Sequence, residues 1–81
     1  MKNNENFTMS VVLKNKFGTL MRVTSLFSKR GYNINTLHVA PLVENNEYSR
    51  IILTSNGDQN IKEQILRQLE KLVDVREAKI I

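Results

Sequence analysis

The stretch FTMSVVLKNKFGTLMRVTSLFSKRG, residues 7–31, changes its hydrophobic period once, and that change decides the fold. Phe7, Met9, Val11 and Leu13 fall on one face with Thr8 and Ser10 opposite, the period of two expected of a half-buried strand. From Leu20 the spacing becomes helical. Leu20, Val23, Leu26 and Phe27 form one stripe, and Arg22, Ser25, Lys29 and Arg30 lie mostly off it. Gly31 then ends the helix as a C-terminal cap, behind two cations that suit the negative end of the helix dipole. The junction between the two periods, KNKFGTL at residues 14–20, holds one of only three glycines in the chain.

The same strand–helix–strand order recurs downstream. Asn33 to about Ala40 reads as a second strand that Pro41 ends, because proline cannot donate to a ladder. Glu44-Asn45-Asn46-Glu47 is a polar hairpin turn, and Tyr48–Thr54 is a third strand rich in β-branched residues, with Ile51 and Leu53 on one face. Ser55-Asn56-Gly57-Asp58 breaks the pattern. Asp58 or Asn60 caps the next helix, Asn60 having capping-box spacing to Glu63. Ile61, Ile65, Leu69 and Leu72 make its apolar stripe. Val73–Ile80 closes the chain as a short fourth strand.

The order β-α-β, hairpin, β-α-β with right-handed crossovers predicts an α+β fold. It is the ferredoxin-like βαββαβ sandwich, a four-stranded antiparallel sheet with two helices on one face. Residues 7–81 form one domain, and residues 1–6 are expected to be a flexible N-terminal segment. A chain of 81 residues buries only about 60–65% of its unfolded surface, so pairing with another copy or a larger partner would relieve a small core.

Composition removes several functions that this fold hosts. With no cysteine, disulfides, thiolate metal sites and cysteine nucleophiles are excluded. No apolar run is long enough for a membrane helix, and the polar start is unlike a signal peptide, so a cytoplasmic protein is expected. The formal charge is +4, but the cations are scattered without a block, which reads as a solvated surface. RNA recognition on an open sheet needs stacking aromatics. Ser49-Arg50-Ile51-Ile52-Leu53 carries none, and Phe7 and Tyr48 lie at strand ends. His38, the lone histidine, has no evident nucleophile to serve. Ser25, Ser28, Asp58 and Glu63 are accounted for by helix faces and caps, and Gly18 belongs to no phosphate-loop pattern. The chain reads as a non-enzyme.

Two readings of KNKFGTL stand side by side. One is a tight turn that uses Asn15 and Gly18 for conformational reasons. The other is a ligand nest, in which the first helix amides lack intrahelical acceptors and suit a carboxylate. Gly18 would then let a ligand reach the backbone, and Asn15 would bind an ammonium group or a carboxylate. Gly31-Tyr32-Asn33-Ile34-Asn35 adds two asparagines flanking an isoleucine at the start of the second strand.

The segments KNKFGTLMRVTSLFSKRGYNINTLHVAP, YSRIILT and LEKLVDV together resemble the ACT domain of the acetohydroxyacid synthase (acetolactate synthase) small subunit. The likeness spans about residues 7–78, and LFSKRGYNI is its most specific part. It implies a non-catalytic regulatory subunit that binds valine or a related branched-chain amino acid. It implies a homodimer whose sheets join side by side, with effector sites at the interface. The partner would be a large catalytic subunit, to which thiamine diphosphate, Mg and FAD would belong, with no cofactor in this chain. Carried over, Asn15 and Gly18, with the amides near Thr19 and Leu20, hold the effector from one protomer. Asn33 and Ile34 contact it from the other. Two departures accompany the likeness. Phe17 stands where such loops often carry proline or another small residue, and many family members continue into a C-terminal domain absent from these 81 residues. A stand-alone ACT sensor and a basic RNA-binding module are the alternatives.

Overall fold

The computed structural model describes residues 5–81. Of the expected N-terminal segment, residues 1–4 lie outside the described residues, and Asn6 opens the first strand. The elements are β1 (Asn6–Lys14), α1 (Phe17–Arg30), β2 (Thr36–Pro41), β3 (Tyr48–Asn56), α2 (Gln59–Glu70) and β4 (Val75–Ile80). The strands form one sheet in the order β2-β3-β1-β4, every neighbouring pair antiparallel. This is the ferredoxin-like βαββαβ arrangement.

Strand parity sorts the side chains as the sequence predicts. Phe7, Met9, Val11 and Leu13 of β1 and Ile51 and Leu53 of β3 join Val23, Phe27, Ile65 and Leu69 of the helices in one core. Most of these are entirely buried, each worth about 1.5–3 kcal/mol of transfer energy. The even-numbered residues of β1 and β3 face the other side of the sheet, which no helix covers.

The helix ends show why the boundaries fall where they do. Gly31 takes φ 72° in the left-handed region. Its N–H donates to the Ser28 carbonyl, and the Tyr32 N–H donates to that of Phe27. These are the paired bonds of a Schellman stop. The apolar contact that accompanies the motif is present too, the Phe27 and Tyr32 rings meeting edge to face at 5.9 Å. At the start of α2, Asp58 settles the choice of cap, its Oδ1 accepting the Ile61 N–H at 3.0 Å. Glu63 accepts instead from the Gln59 side chain, so the Asn60–Glu63 box does not form.

Four expected boundaries move. α1 begins at Phe17, a turn before the apolar stripe. β2 begins at Thr36, because the chain from Asn33 to Asn35 is tied to the end of β3 by the Ser55 hydroxyl on the Asn33 carbonyl and by the Asn35 N–H on that of Thr54. β3 runs on to Asn56, two residues past the expected end at Thr54, and Pro41 is the last residue of β2, the expected end of that strand. That strand is at the sheet edge, where a missing N–H is tolerated. Leu72 falls in the turn after α2, still packed on the core, and Val73 is exposed, so β4 starts at Val75.

Gly57 has a packing reason. A Cβ there would lie 2.6 Å from Ile61 Cγ2 and 2.8 Å from Ile61 Cβ. The second atom is fixed to the helix backbone and cannot rotate away. Gly57→Ala is therefore expected to push the first turn of α2 off β3 and lower stability by about 1–3 kcal/mol, read as a fall in urea midpoint at unchanged m-value.

Candidate functional site

The β1–α1 loop is held by the hairpin that joins β2 to β3. The Asn15 N–H donates to the Glu47 carbonyl at 2.8 Å, and its side-chain Nδ2 donates to the Asn46 carbonyl at 3.3 Å. Asn15 is exposed, and its Oδ1 accepts no hydrogen bond among the described residues. Lys16 occupies the cap position of α1 in extended conformation and makes no side-chain cap bond, and no acid stands in the first turn. The Thr19 and Leu20 amides both donate to the Lys16 carbonyl at 3.1 Å. The amides without an acceptor among the described residues are those of Phe17 and Gly18. Helix α1 thus presents an open, positive N-terminal end, whereas α2 closes its own with Asp58.

Gly18 is informative by what it does not need. Its φ is not positive, and an added Cβ would meet nothing within 4 Å. Neither turn geometry nor packing demands a glycine there, and at an exposed helical position glycine costs up to about 1 kcal/mol relative to alanine. The backbone at Gly18 is therefore left open to the solvent.

Thr19 and Leu20 serve the fold. Thr19 is buried, and its hydroxyl donates to Asp74 Oδ2 at 3.1 Å. That same carboxylate oxygen lies 3.6 Å from the Arg22 guanidinium. Leu20 packs against the core. Asp74 was not singled out by the sequence. It lies 55 residues beyond Thr19 and reaches it only because β4 returns beside β1, where the Lys14 N–H also donates to the Asp74 carbonyl.

The other half of the expected site is elsewhere. Asn33 is exposed, its Nδ2 donating to Asn56 Oδ1 at 3.2 Å and to Asn35 Oδ1 at 3.4 Å. Ile34 is half-buried against the core. Asn15 and Gly18 sit at one end of α1, and Asn33 and Ile34 at the other. Helix α1 is fourteen residues long, a span of about 20 Å from end to end. A hollow of about 300 Å³ beside Gly18, walled by Met21, Arg22, Leu26 and Leu72 among others, reaches neither asparagine. One chain therefore does not bring the two halves together. The Ser49 hydroxyl is a further polar group, one that strand alternation alone does not single out. It is buried without a partner on the helix side of β3, paired across from Leu13 at the same end of the sheet as the β1–α1 loop.

This geometry has relatives. Residues 9–77 match the model of the AHAS small subunit-like ACT domain. The chain belongs to that family. The ACT domain is 51% identical over 67 residues to the acetolactate synthase isozyme 3 small subunit of Escherichia coli (strain K12), covering 83% of this chain and 40% of that protein. It is 40% identical over 67 residues to the probable acetolactate synthase small subunit of Archaeoglobus fulgidus, covering 83% of this chain and 42% of the other. The chain spans about two fifths of the length of the curated relatives it matches. Among solved structures, the acetolactate synthase small subunit from Thermotoga maritima superposes with a TM-score of 0.85 at 33% identity, over 94% of this chain and 47% of that one. The ACT domain of GTP pyrophosphokinase from Chlorobium tepidum, at 15% identity and a TM-score of 0.76 over 96% of this chain and 99% of that one, shares the fold.

Within the ACT domain, Phe17 is 78% exposed at the mouth of the loop. His38 lies on β2 across from Ile52, in the open. The described residues hold no group of three or more His, Asp or Glu able to ligate a metal, and no helix long and apolar enough to cross a membrane.

Proposed function

We propose that this ACT domain is the effector-sensing part of an acetolactate synthase small subunit. It binds a branched-chain amino acid, valine before isoleucine or leucine, between two copies of the chain and so modulates a large catalytic subunit. Thiamine diphosphate, Mg and FAD are assigned to that catalytic partner. The observation that carries the reading is the open amino end of α1 beside Asn15, in a chain whose family is named for that enzyme's small subunit. The free amides of Phe17 and Gly18 suit a carboxylate. The Asn15 and Asn33 amide oxygens suit an ammonium, and Ile34 suits an aliphatic side chain.

The two edges of the sheet argue for how the halves meet. β4 carries Arg76, Glu77 and Lys79, the charges that guard an edge against pairing. β2 carries no Lys, Arg, Asp or Glu, and Leu37 and Val39 stand 40% and 44% exposed on its helix side. Two β2 strands related by a two-fold axis run antiparallel. The start of one, with Asn33 and Ile34, then lies against the end of the other, where Pro41, Ser49 and the β1–α1 loop are.

A ligand that bridges two protomers favours one arrangement of their interface, and coupling of about 1–3 kcal/mol changes a partner's affinity 5–150-fold. Reconstitution tests this. Acetolactate formation by the large subunit is measured alone, with the chain, and with the chain plus valine. The expected result is a rate that changes on adding the chain and changes again with valine. A chain that binds valine yet leaves the rate untouched in both additions would be a stand-alone sensor.

A further inference from the structure

The sheet face that no helix covers has the make-up of a protein-docking surface. Its accessible apolar part is Ile52, half-buried, with exposed Ala40 and half-buried Leu42 around one hollow of about 250 Å³, while Val12 and Ser10 on β1 are already covered. Long charged side chains flank this part. Arg50 and Glu77 are the cross-strand neighbours of Val12, and Lys79 is that of Ser10. Lys14 and Arg76 stand at one end, their charged groups 5.4 Å and 5.1 Å from the centre of the Tyr48 ring. Four cations thus share the face with two carboxylates, Glu77, which Lys79 already holds at 3.5 Å, and Glu44, at the rim of a hollow it lines with Arg50 and Ile52. Lys14, Arg50 and Arg76 have no carboxylate within ion-pair distance among the described residues.

An apolar centre within a charged rim, with Tyr and Arg prominent, is the anatomy of a protein interface. Size agrees as well. Four strands at about 4.8 Å by six residues at about 3.3 Å make roughly 400 Å² of face. Two protomers paired through β2 would present roughly 800 Å², the contribution of one partner to a standard interface.

We infer that this face docks an acidic, apolar-centred surface of the large catalytic subunit; the inference rests on the function proposed above. Charge decides the occupant. A second copy would set its unpaired cations against the same cations. RNA would need aromatic rings in the body of β1 and β3, where this face offers only Tyr48 at its end, its ring already holding two cations. The helix side is covered by α1 and α2, and β2 is committed to the second copy, which leaves this face to the catalytic partner.

Charge reversal tests the assignment. Binding of the purified large subunit is measured by biolayer interferometry for the wild type, for Arg50→Glu/Arg76→Glu, and for Lys29→Glu/Lys71→Glu, which changes charge equally on the helix side. The first pair is expected to weaken binding roughly thirtyfold or more, and the second by less than about twofold. Thermal unfolding with and without valine shows that each variant folds and keeps its effector site. Arg50→Gln/Arg76→Gln replaces the reversal if that variant does not fold. Wild-type chain that fails to bind the large subunit overturns the proposed function along with the docking face. Wild type and both pairs binding alike overturns the docking face alone. Capture of single-stranded RNA by the wild type, lost in Arg50→Glu/Arg76→Glu while large-subunit binding persists, would assign the face to nucleic acid and overturn the proposal.

Discussion

Valine at about one hundred times its dissociation constant is expected to raise the thermal midpoint of the chain by about 10 °C or more. A ligand at that ratio adds roughly 2.7 kcal/mol to the native state, and in a domain of this size each kcal/mol moves the midpoint by about 4–8 °C. Isoleucine and leucine are run beside valine, with lysine and glutamate as controls. Gly18→Asp sharpens the experiment because its two effects have opposite signs. An aspartate in the first turn of α1 meets the open helix end and stabilises the unliganded chain by about 0.3–1 kcal/mol. It also puts an anion where the effector carboxylate would sit. The variant should therefore melt slightly higher than wild type without ligand and show no valine shift. A variant that simply misfolds would melt lower, so loss of binding cannot be confused with loss of fold. A full valine shift in Gly18→Asp would remove the α1 end from the site. No shift in the wild type with any branched-chain amino acid would reduce KNKFGTL to a connection.

The features most legible in the sequence are those set by neighbours along the chain. The change of period between Leu13 and Leu20, the stop at Gly31 and the aspartate before α2 depend on contacts within a few residues, and the strand order follows from them by handedness. The boundaries that moved depend on distant partners. β2 starts late because Ser55 and Thr54, on a later strand, hold the approach from Asn33 to Asn35. β3 runs on through Ser55 to Asn56 because β1 pairs with it that far, Asn6 lying across from Asn56, a fact of the assembled sheet. The same division runs through the site. Asn15 and Gly18 stand out locally, as polar and flexible residues at a junction. The role of Thr19 was hidden because its partner, Asp74, is brought close only by the return of β4 beside β1. The amides of Thr19 and Leu20, expected to be open, donate to the Lys16 carbonyl, and the open ones lie two residues earlier. Apolar spacing marks where a helix buries its face, starting at Leu20, whereas the first open amides belong to Phe17 and Gly18, the exposed turn before it. For Gly18 the folded chain removes one reading, because a turn that needs glycine would give it a positive φ that the residue does not have.

The strongest prediction concerns residues that one chain keeps apart. If the effector site takes Asn15 and Gly18 from one protomer and Asn33 and Ile34 from the other, Gly18→Asp and Asn33→Ala should each abolish valine binding alone. Mixed, they should restore part of it. In a heterodimer of the two, one site combines both lesions. The other combines the intact loop of the Asn33→Ala protomer with the intact strand start of the Gly18→Asp protomer. With random exchange half of the dimers are mixed, so about a quarter of the wild-type sites should return. Asn33→Ala suits this purpose because its backbone carbonyl, which accepts from Ser55, is kept, and only exposed side-chain bonds to Asn35 and Asn56 are lost. Isothermal titration of each variant, and of the two unfolded and refolded together, reads the recovered stoichiometry. A site held within one chain, or formed by the loop alone, cannot be repaired by mixing. In that case recovery would be nil, or Asn33→Ala by itself would bind valine as the wild type does. Recovery near a quarter, at wild-type affinity, would tie the open end of α1 to the start of β2 across the two-fold axis, with no other route to the same number.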